Sequence, residues 1–351
     1  FDESFPIVAA EIDAVQNAVG LTEVNGFNRF EITGSDARPF VDRMFCGKIT
    51  AKAGRVGLGY LLNHHGMLKG EATIANLPAS DRGGERMWYG SAAASEFHDM
   101  DWLTKHIGAD EDVQVKSLTN DMTILVIAGP KARDVLQSVS RADWSKEAFP
   151  WLSVRECFVG YAPATVIAVS FSGEMAYEIH VPNASLYAAY TALREAGKAH
   201  GMKLFGALAV EAMRMEKGYL HWKADILTEF DPFETGLNRF VHLDKSDFIG
   251  KAALTERAKT PPKKKLVTLI VDSDKTPARG GASVMDGGVV VGTVSSGGYG
   301  HRVGKNIAYA FLDAPFATEG QPLVIDMLAQ EIGATVTNSA LYDPDMSRVR
   351  A

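Results

Sequence analysis

At 351 residues the chain is too long for one ordinary core and long enough for two or three domains. With 46% hydrophobic and 23% charged residues it has the composition of a soluble globular protein, and no apolar run approaches the ~18 residues a membrane span needs. A net charge of -7 leaves no basic footprint for nucleic acid, and the two distant cysteines, Cys46 and Cys157, need no oxidising compartment. No membrane and no nucleic acid are therefore expected as partners, and the expected location is the cytoplasm or an organelle matrix. The first residue is Phe1 and no signal-like apolar core follows, which reads as a trimmed product or a piece of something longer.

In chain order, residues 6–19 suggest a helix that Gly20 and the stretch 21–24 end, and residues 27–33 alternate as a strand. Gly34 then turns the chain, and Ser35 or Asp36 is placed to cap a helix running to Met44. The next stretch is a hairpin over 59–74 that turns at Asn63-His64-His65-Gly66 and carries Lys69 and Glu71 on its returning strand. A further strand is expected over 86–90 and a helix over 95–106. The phrase around Gly34 returns around Gly129, with Ile, Gly, Ala and Arg at Ile32, Gly34, Ala37 and Arg38 matching Ile127, Gly129, Ala132 and Arg133. This is a weak internal repeat of a strand-turn-helix unit, near 26–45 and 121–140.

After the second copy comes another hairpin, over 156–180 with its turn at Ser172-Gly173, and a helix over 186–200. The expected fold class is therefore α+β, with two modules that each set an antiparallel sheet against helices, spanning residues 1–260. The helix over 206–219 places Leu208, Ala212, Met215 and Tyr219 on one core stripe, with Glu211 and Arg214 on another. Lys263-Lys264-Lys265, after Pro261-Pro262, reads as a solvated linker. Beyond it, short strands between Gly and Pro turns make residues 266–351 a C-terminal β-barrel or sandwich, in which Gly297 and Gly298 read as turn glycines.

No dinucleotide fingerprint, Walker A loop, nucleophile elbow or zincin motif occurs, so the chain is expected to bind no flavin of its own. No metal is expected either, since His64 and His65 are adjacent and no Cys or His pair has ligand spacing. The remaining candidates are Glu71, Phe171, Tyr177, Glu178, Arg214 and Trp222. A carboxylate beside aromatic rings suits a planar heterocycle that offers adjacent N–H donors, because two oxygens accept a bidentate pair while rings cover its faces. From the residues alone, Glu71 reads first as a solvated strand carboxylate and Glu178 first as a structural partner for an arginine such as Arg214.

Six phrases carry a family likeness. They are Leu62-Asn63-His64-His65-Gly66 with the strand to Ile74, Phe171-Ser172-Gly173-Glu174-Met175-Ala176-Tyr177-Glu178, Met213-Arg214-Met215-Glu216-Lys217-Gly218, Pro232-Phe233-Glu234-Thr235-Gly236-Leu237, Asp247-Phe248-Ile249-Gly250-Lys251-Ala252, and Gly292-Thr293-Val294-Ser295-Ser296-Gly297-Gly298-Tyr299. In this order they resemble the T-protein (aminomethyltransferase) family, and within it the folate-binding C-terminal portion of dimethylglycine and sarcosine dehydrogenases. The family's usual Asp-Asp pair after the first turn, whose first Asp is assigned to catalysis, is replaced here by Gly70 and Glu71.

The resemblance implies a three-domain cloverleaf around a tetrahydrofolate channel, with the acidic role carried to Glu71. It further implies Glu178 against the pterin's ring nitrogens, Asn63, Phe171 and Tyr177 around the cofactor, and Arg214 and Trp222 nearby. The implied function is tetrahydrofolate-dependent one-carbon transfer from a methylated amine of dimethylglycine or sarcosine type, served by a separate or fused flavin-dependent amine oxidase. The alternatives are direct methyl transfer to folate from a sulfonium or aryl ether, and a folate-binding module without catalysis.

Overall fold

The computed structural model of the chain describes residues 3–79, 84–337 and 340–351. It opens with α1 (Ser4–Asn17) and β1 (Gly20–Glu23). The expected strand, turn and helix follow as β2 (Phe27–Gly34) and α2 (Ala37–Met44), and the hairpin as β3 (Val56–Leu62) and β4 (Leu68–Leu77). The unit is completed by β5 (Glu85–Ala92), α3 (Glu96–Lys105) and β6 (Gln114–Ser117). These strands form a five-stranded antiparallel sheet in the order β3-β4-β5-β2-β6.

The pleat sends Phe30, Ile32, Ala72, Ile74, Met87 and Tyr89 to one face, where α2 meets them with Ala37, Phe40, Val41 and Met44, spaced as one helical stripe. Asp36 precedes α2 as expected, but neither its side chain nor that of Ser35 caps the helix. Instead the Asp112 amide donates to the Asp36 carboxylate, and Ser35 donates to the Asp112 carboxylate through its amide and its hydroxyl. Polar groups that a cap would use are spent tying the helix start to the chain just before β6.

The phrase repeats in space as in sequence, as β7 (Met122–Ala128) and α4 (Ala132–Val139). Gly34 and Gly129 both sit at φ +124°, where a Cβ would run into the backbone of Asp112 or Ala18, so only glycine makes this turn. Then come β8 (Val154–Val159), β9 (Ala162–Ile167), β10 (Ala176–Pro182), α5 (Leu186–Lys198), β11 (Lys203–Leu204) and α6 (Ala207–Glu216). The one hairpin expected over 156–180 is thus three strands. The chain reverses at Gly160, φ +58°, next to an aromatic that weakened the turn signal, and Ser172-Gly173 lies in the loop between β9 and β10.

The second sheet runs β11-β1-β7-β10-β9-β8, so β1 belongs here and not to the first unit, with β1 and β11 as a parallel pair. One face packs on α4 and α5 through Leu125, Ile127, Tyr177 and Ile179. On the other face α1 and α6 cover Ala128 and Ala176 with Val8, Ile12, Val15, Ala209, Ala212 and Met213. That contact sets the buried side of α6, which corrects the expected stripe: Leu208 is 61% exposed.

After α7 (Lys251–Arg257), strands β12 (Lys264–Val271), β13 (Ser283–Asp286), β14 (Val289–Gly300), β15 (Lys305–Asp313), β16 (Pro322–Asp326) and β17 (Glu331–Thr337) close into a barrel in the order β12-β15-β14-β13-β16-β17. Gly297 and Gly298 are not turn residues but lie inside β14. A Cβ on Gly297 would strike the Ala278 backbone, and one on Gly298 would stand 3.0 Å from the Met215 sulfur of α6. Their missing side chains let the barrel press against its neighbours.

The C-terminal segment is fastened to the loop before β10 by buried ions. Glu174 accepts from Arg302 Nη1 (3.0 Å), Tyr342 Oη (2.6 Å) and Arg348 Nε (2.6 Å), Arg302 also pairs with Glu216, and Lys217 pairs with Asp343 (2.8 Å). Three acids thus face three bases. Removing one partner strands the rest, so Glu174→Ala is expected to cost ~3–5 kcal/mol. Arg348→Ala should cost less, because the Arg348 side chain is partly exposed. Urea midpoints of the two variants check the ranking.

Candidate functional site

The β3-β4 hairpin is built by its turn. Asn63 Oδ1 accepts from the amides of His65 (2.9 Å) and Met67 (3.1 Å), so the Asn63 side chain clasps the turn. The register then shifts, with Leu62 opposite Leu68 and Leu61 opposite Gly70, leaving Lys69 as a bulge whose ammonium stands 4.8 Å from the Trp102 ring centroid. The bulge fixes where the next residues point. Glu71 comes to lie opposite Tyr60, whose hydroxyl donates to its carboxylate at 2.8 Å. Burial pushes the Glu71 carboxyl up to about 7 against the opposing effect of that bond. Near neutral pH it is therefore present in both protonation states.

Gly70 faces the other way. A Cβ there would stand 3.4 Å from Leu61 and 3.8 Å from Asp99 Oδ1 on α3. Asp99 is buried and takes hydrogen bonds from Tyr89 (2.8 Å) and Ser91 (2.5 Å). Gly70→Asp would set a second carboxylate against it, so this change is expected to lower stability by ~2–4 kcal/mol without raising activity. Thermal melts and a turnover assay on the same protein check both halves.

Glu71, Thr73, Ala75 and Leu77 share the face of the first sheet turned away from its helices. At one end of this face Val56, Ala75, Leu77 and Trp88 pack on Val154 and Ile167 of the second sheet. At the other, Tyr60, Leu62 and Leu68 pack on Trp222, Ile226, Leu237 and Phe248. Between the two clusters the surface opens: Leu58 is 38% exposed, and Glu71, Thr73 and Gly90 are half-buried. Across β4, β5 and β2 the register makes one row of Thr73, Gly90 and Arg29, so Gly90 leaves a bare floor between two polar side chains.

Glu178 sits half-buried on the matching face of the second sheet, between the Val154–Ile167 cluster and the α1–α6 cluster. Both carboxylates thus belong to the facing surfaces of the two sheets. His180, two residues on and buried, hydrogen-bonds Glu178 Oε2 at 3.1 Å through Nε2 and tilts against Trp88. Burial lowers its pKa, and its Nδ1 has no partner. Arg29 is 3% exposed, and its Nη2 donates to the carbonyls of Met122 (2.7 Å) and Thr119 (3.4 Å), while its Nε and Nη1 are buried without acceptors. Burial lowers its pKa, opposed by the charges of Glu178 and Glu96.

Other expected site residues fall elsewhere. Tyr177 precedes Glu178 on the strand and so points to the opposite face, among Trp144, Phe149 and the helices α4 and α5. Arg214 is fully buried and holds Asp225 (2.6 Å), Glu211 and Ser296, tying α6 to the barrel, and does not pair with Glu178. Trp222 is buried with its indole N–H on Ser95 (2.8 Å). Both side chains are engaged by neighbouring segments of the protein. Phe171 is half-buried in the β9-β10 loop and stacks on Tyr219 at 6.2 Å.

Sequence reading missed Arg29, Tyr60, Gly90 and His180. Gly90 was findable, as a glycine inside the otherwise bulky strand Met87-Trp88-Tyr89-Gly90. An open cleft of about 650 Å³ lies by Phe233, Asn238, Lys259 and Lys265. It contains neither Glu71 nor Glu178. Among the described residues no group of three or more His, Cys, Asp or Glu is placed to hold a metal, and no helix is long and apolar enough to cross a membrane.

Residues 1–245 match the family described as the GCVT N-terminal domain, and residues 264–343 match the glycine cleavage T-protein C-terminal barrel domain. The chain is 30% identical over 348 residues to mitochondrial dimethylglycine dehydrogenase of Homo sapiens, covering 99% of this chain but only 40% of that protein. It is 27% identical to an aminomethyltransferase of Alkaliphilus oremlandii, covering 96% of this chain and 90% of the relative. Its fold matches the crystal structure of glycine cleavage system aminomethyltransferase T from Bartonella henselae with a TM-score of 0.86 at 21% identity, over 96% of this chain and 90% of that one.

Proposed function

Because the chain belongs to the glycine cleavage T-protein family of folate-dependent aminomethyltransferases, we propose that it transfers a one-carbon unit from a methylated amine of dimethylglycine or sarcosine type to tetrahydrofolate. The observation that carries this reading is the pair of carboxylates, Glu71 and Glu178, on the facing surfaces of two sheets, one of them titrating near neutrality.

The residues present fit the group. Gly90 leaves room for a flat ring, Glu178 has one carboxylate oxygen not engaged by His180, and Phe171 offers an aromatic face. Tetrahydrofolate, when bound, supplies the amine nucleophile that takes up the carbon. Glu178 accepts from the pterin's adjacent N–H donors, and His180 holds that carboxylate in place. Glu71 takes the proton released as the carbon is bonded, and the Tyr60 hydroxyl keeps its carboxylate oriented. Residues 1–260 make the folate-binding region and 266–351 the barrel that braces it.

Making the carbon electrophilic needs an oxidation. The chain spans 40% of the length of the dimethylglycine dehydrogenase it matches, and we assign that step to a flavin-dependent amine oxidase, separate or fused. A binding-only module is the second reading, favoured by Gly70 where the family has its catalytic Asp. The test is to incubate the protein with tetrahydrofolate and dimethylglycine or sarcosine, with and without such an oxidase, and to weigh the folate product. Methylene-folate formed faster than in the oxidase-only control supports transfer. Methyl-folate made without the oxidase would replace it by direct methyl transfer, and no change over the control would leave binding alone.

A further inference from the structure

We infer that Asn25 is a site of spontaneous covalent modification, where the side-chain amide is exchanged for a carboxylate and part of the product runs its main chain through the former side chain. The sequence marks the position, since no other asparagine in the chain precedes a glycine. Ring closure of an asparagine onto the next residue's nitrogen is hindered by a Cβ on that residue, and glycine has none. Asn25 and Gly26 are both exposed, and a Cβ built on Gly26 would meet nothing within 4 Å. Asn28, Asn76 and Asn306 are instead buried, with their side-chain amides held by hydrogen bonds.

The chain is pinned on either side of the Asn25–Gly26 bond and free across it. The Val24 amide donates to the Ile124 carbonyl of the second sheet (2.9 Å), and the Gly26 carbonyl accepts from the Ala93 amide beside the first (2.8 Å). Among the described residues nothing accepts from the Gly26 amide, which is the attacking group, and the Asn25 side chain bonds through Nδ2 to Glu23 Oε1 (2.6 Å). The Gly26 nitrogen bonds to Asn25 Cγ, the Cγ–Nδ2 bond breaks, and ammonia leaves with the proton that the Gly26 amide gives up. Water then opens the cyclic imide on either side. Breaking the new bond to Cγ yields aspartate, and breaking the bond to the main-chain carbon yields isoaspartate. Either product sets a carboxylate where the amide held Glu23, so an attraction becomes a like-charge repulsion. Isoaspartate also adds a carbon to the main chain where it passes from β1 of the second sheet to β2 of the first.

The experiment stores the full chain at mildly alkaline pH, native in one arm and unfolded in urea in the other, and follows each asparagine by peptide mass spectrometry. In the native arm Asn25 is expected to gain the mass difference between O and NH before any other asparagine does. A carboxyl methyltransferase specific for isoaspartate should then label stored wild type and leave fresh protein unlabelled. Gly26→Val, whose side chain has open space, should lose both signals while circular dichroism reports an unchanged fold. Absence of conversion at Asn25 in the native arm would overturn the inference, and conversion in the unfolded arm alone would trace the failure to a loop that holds the amide out of reach. Conversion first at another asparagine would overturn it too, as would an unchanged rate in folded Gly26→Val. If Gly26→Val does not fold, the native wild-type result decides.

Discussion

Glu71→Gln is expected to cut turnover by ~10²-fold or more, the usual worth of a positioned acid or base, while the dissociation constant for tetrahydrofolate stays within about threefold. The amide keeps the shape and the Tyr60 contact but cannot take a proton. Because the Glu71 carboxyl titrates at about 7, the wild-type rate should rise with pH through that value as the base form accumulates, and this limb should vanish in the variant. Tyr60→Phe removes the bond that opposes the upward shift, so the limb should move to higher pH.

The same group sets a sign for stability. Its folded pKa lies above the unfolded value of 4.5, so between the two the native state holds more proton than the unfolded one. Wild-type stability should therefore fall as pH rises from about 4.5 to about 7, and Glu71→Gln should be the more stable protein at pH 8 but not at pH 4. Urea titrations at the two pH values measure this. A variant with full turnover would remove Glu71 from the reaction.

Gly90→Val is expected to leave the fold intact and weaken tetrahydrofolate binding by ~30-fold or more. The added Cβ meets only Asn28 O at 3.7 Å and Thr73 O at 4.0 Å, which is ordinary contact, and valine suits a strand. What it occupies is the bare floor between Thr73 and Arg29. Gly90→Ala should fall between the two. Calorimetry alongside a thermal melt separates a filled site from a lost fold, and unaltered affinity in a folded Gly90→Val would mean the ring does not lie there.

Much of the architecture was legible because it rests on local rules. The repeated strand-turn-helix depends on two glycines at the same φ, the hairpin on an Asn-initiated turn, and the barrel on short strands between Gly and Pro. Site residues were harder, because a family phrase names neighbours without saying which way each points. Tyr177 and Glu178 are consecutive, and period-two alternation alone sends them to opposite faces. Arg214 and Trp222 are long side chains whose partners, Asp225 and Ser95, come from segments that local pattern does not connect. Arg29 was invisible for a related reason. A charge in an apolar strand reads as an exception until the second sheet stands opposite it.

The placement of β1 between β11 and β7 in the second sheet has a consequence for how the molecule is made. Residues 27–117 intervene between β1 and its neighbour β7, and its other neighbour, β11, arrives only at Lys203. As the polypeptide leaves the ribosome, the first sheet has all its strands in hand once Ser117 has emerged. The segment ahead of it gains β7 within about eleven further residues, but the other edge of β1 and the apolar face of α1 stay uncovered for nearly ninety, until β11 and α6 arrive. Assembly is thus ordered by topology, and the waiting helix and strand are the part of the nascent chain most in need of shelter.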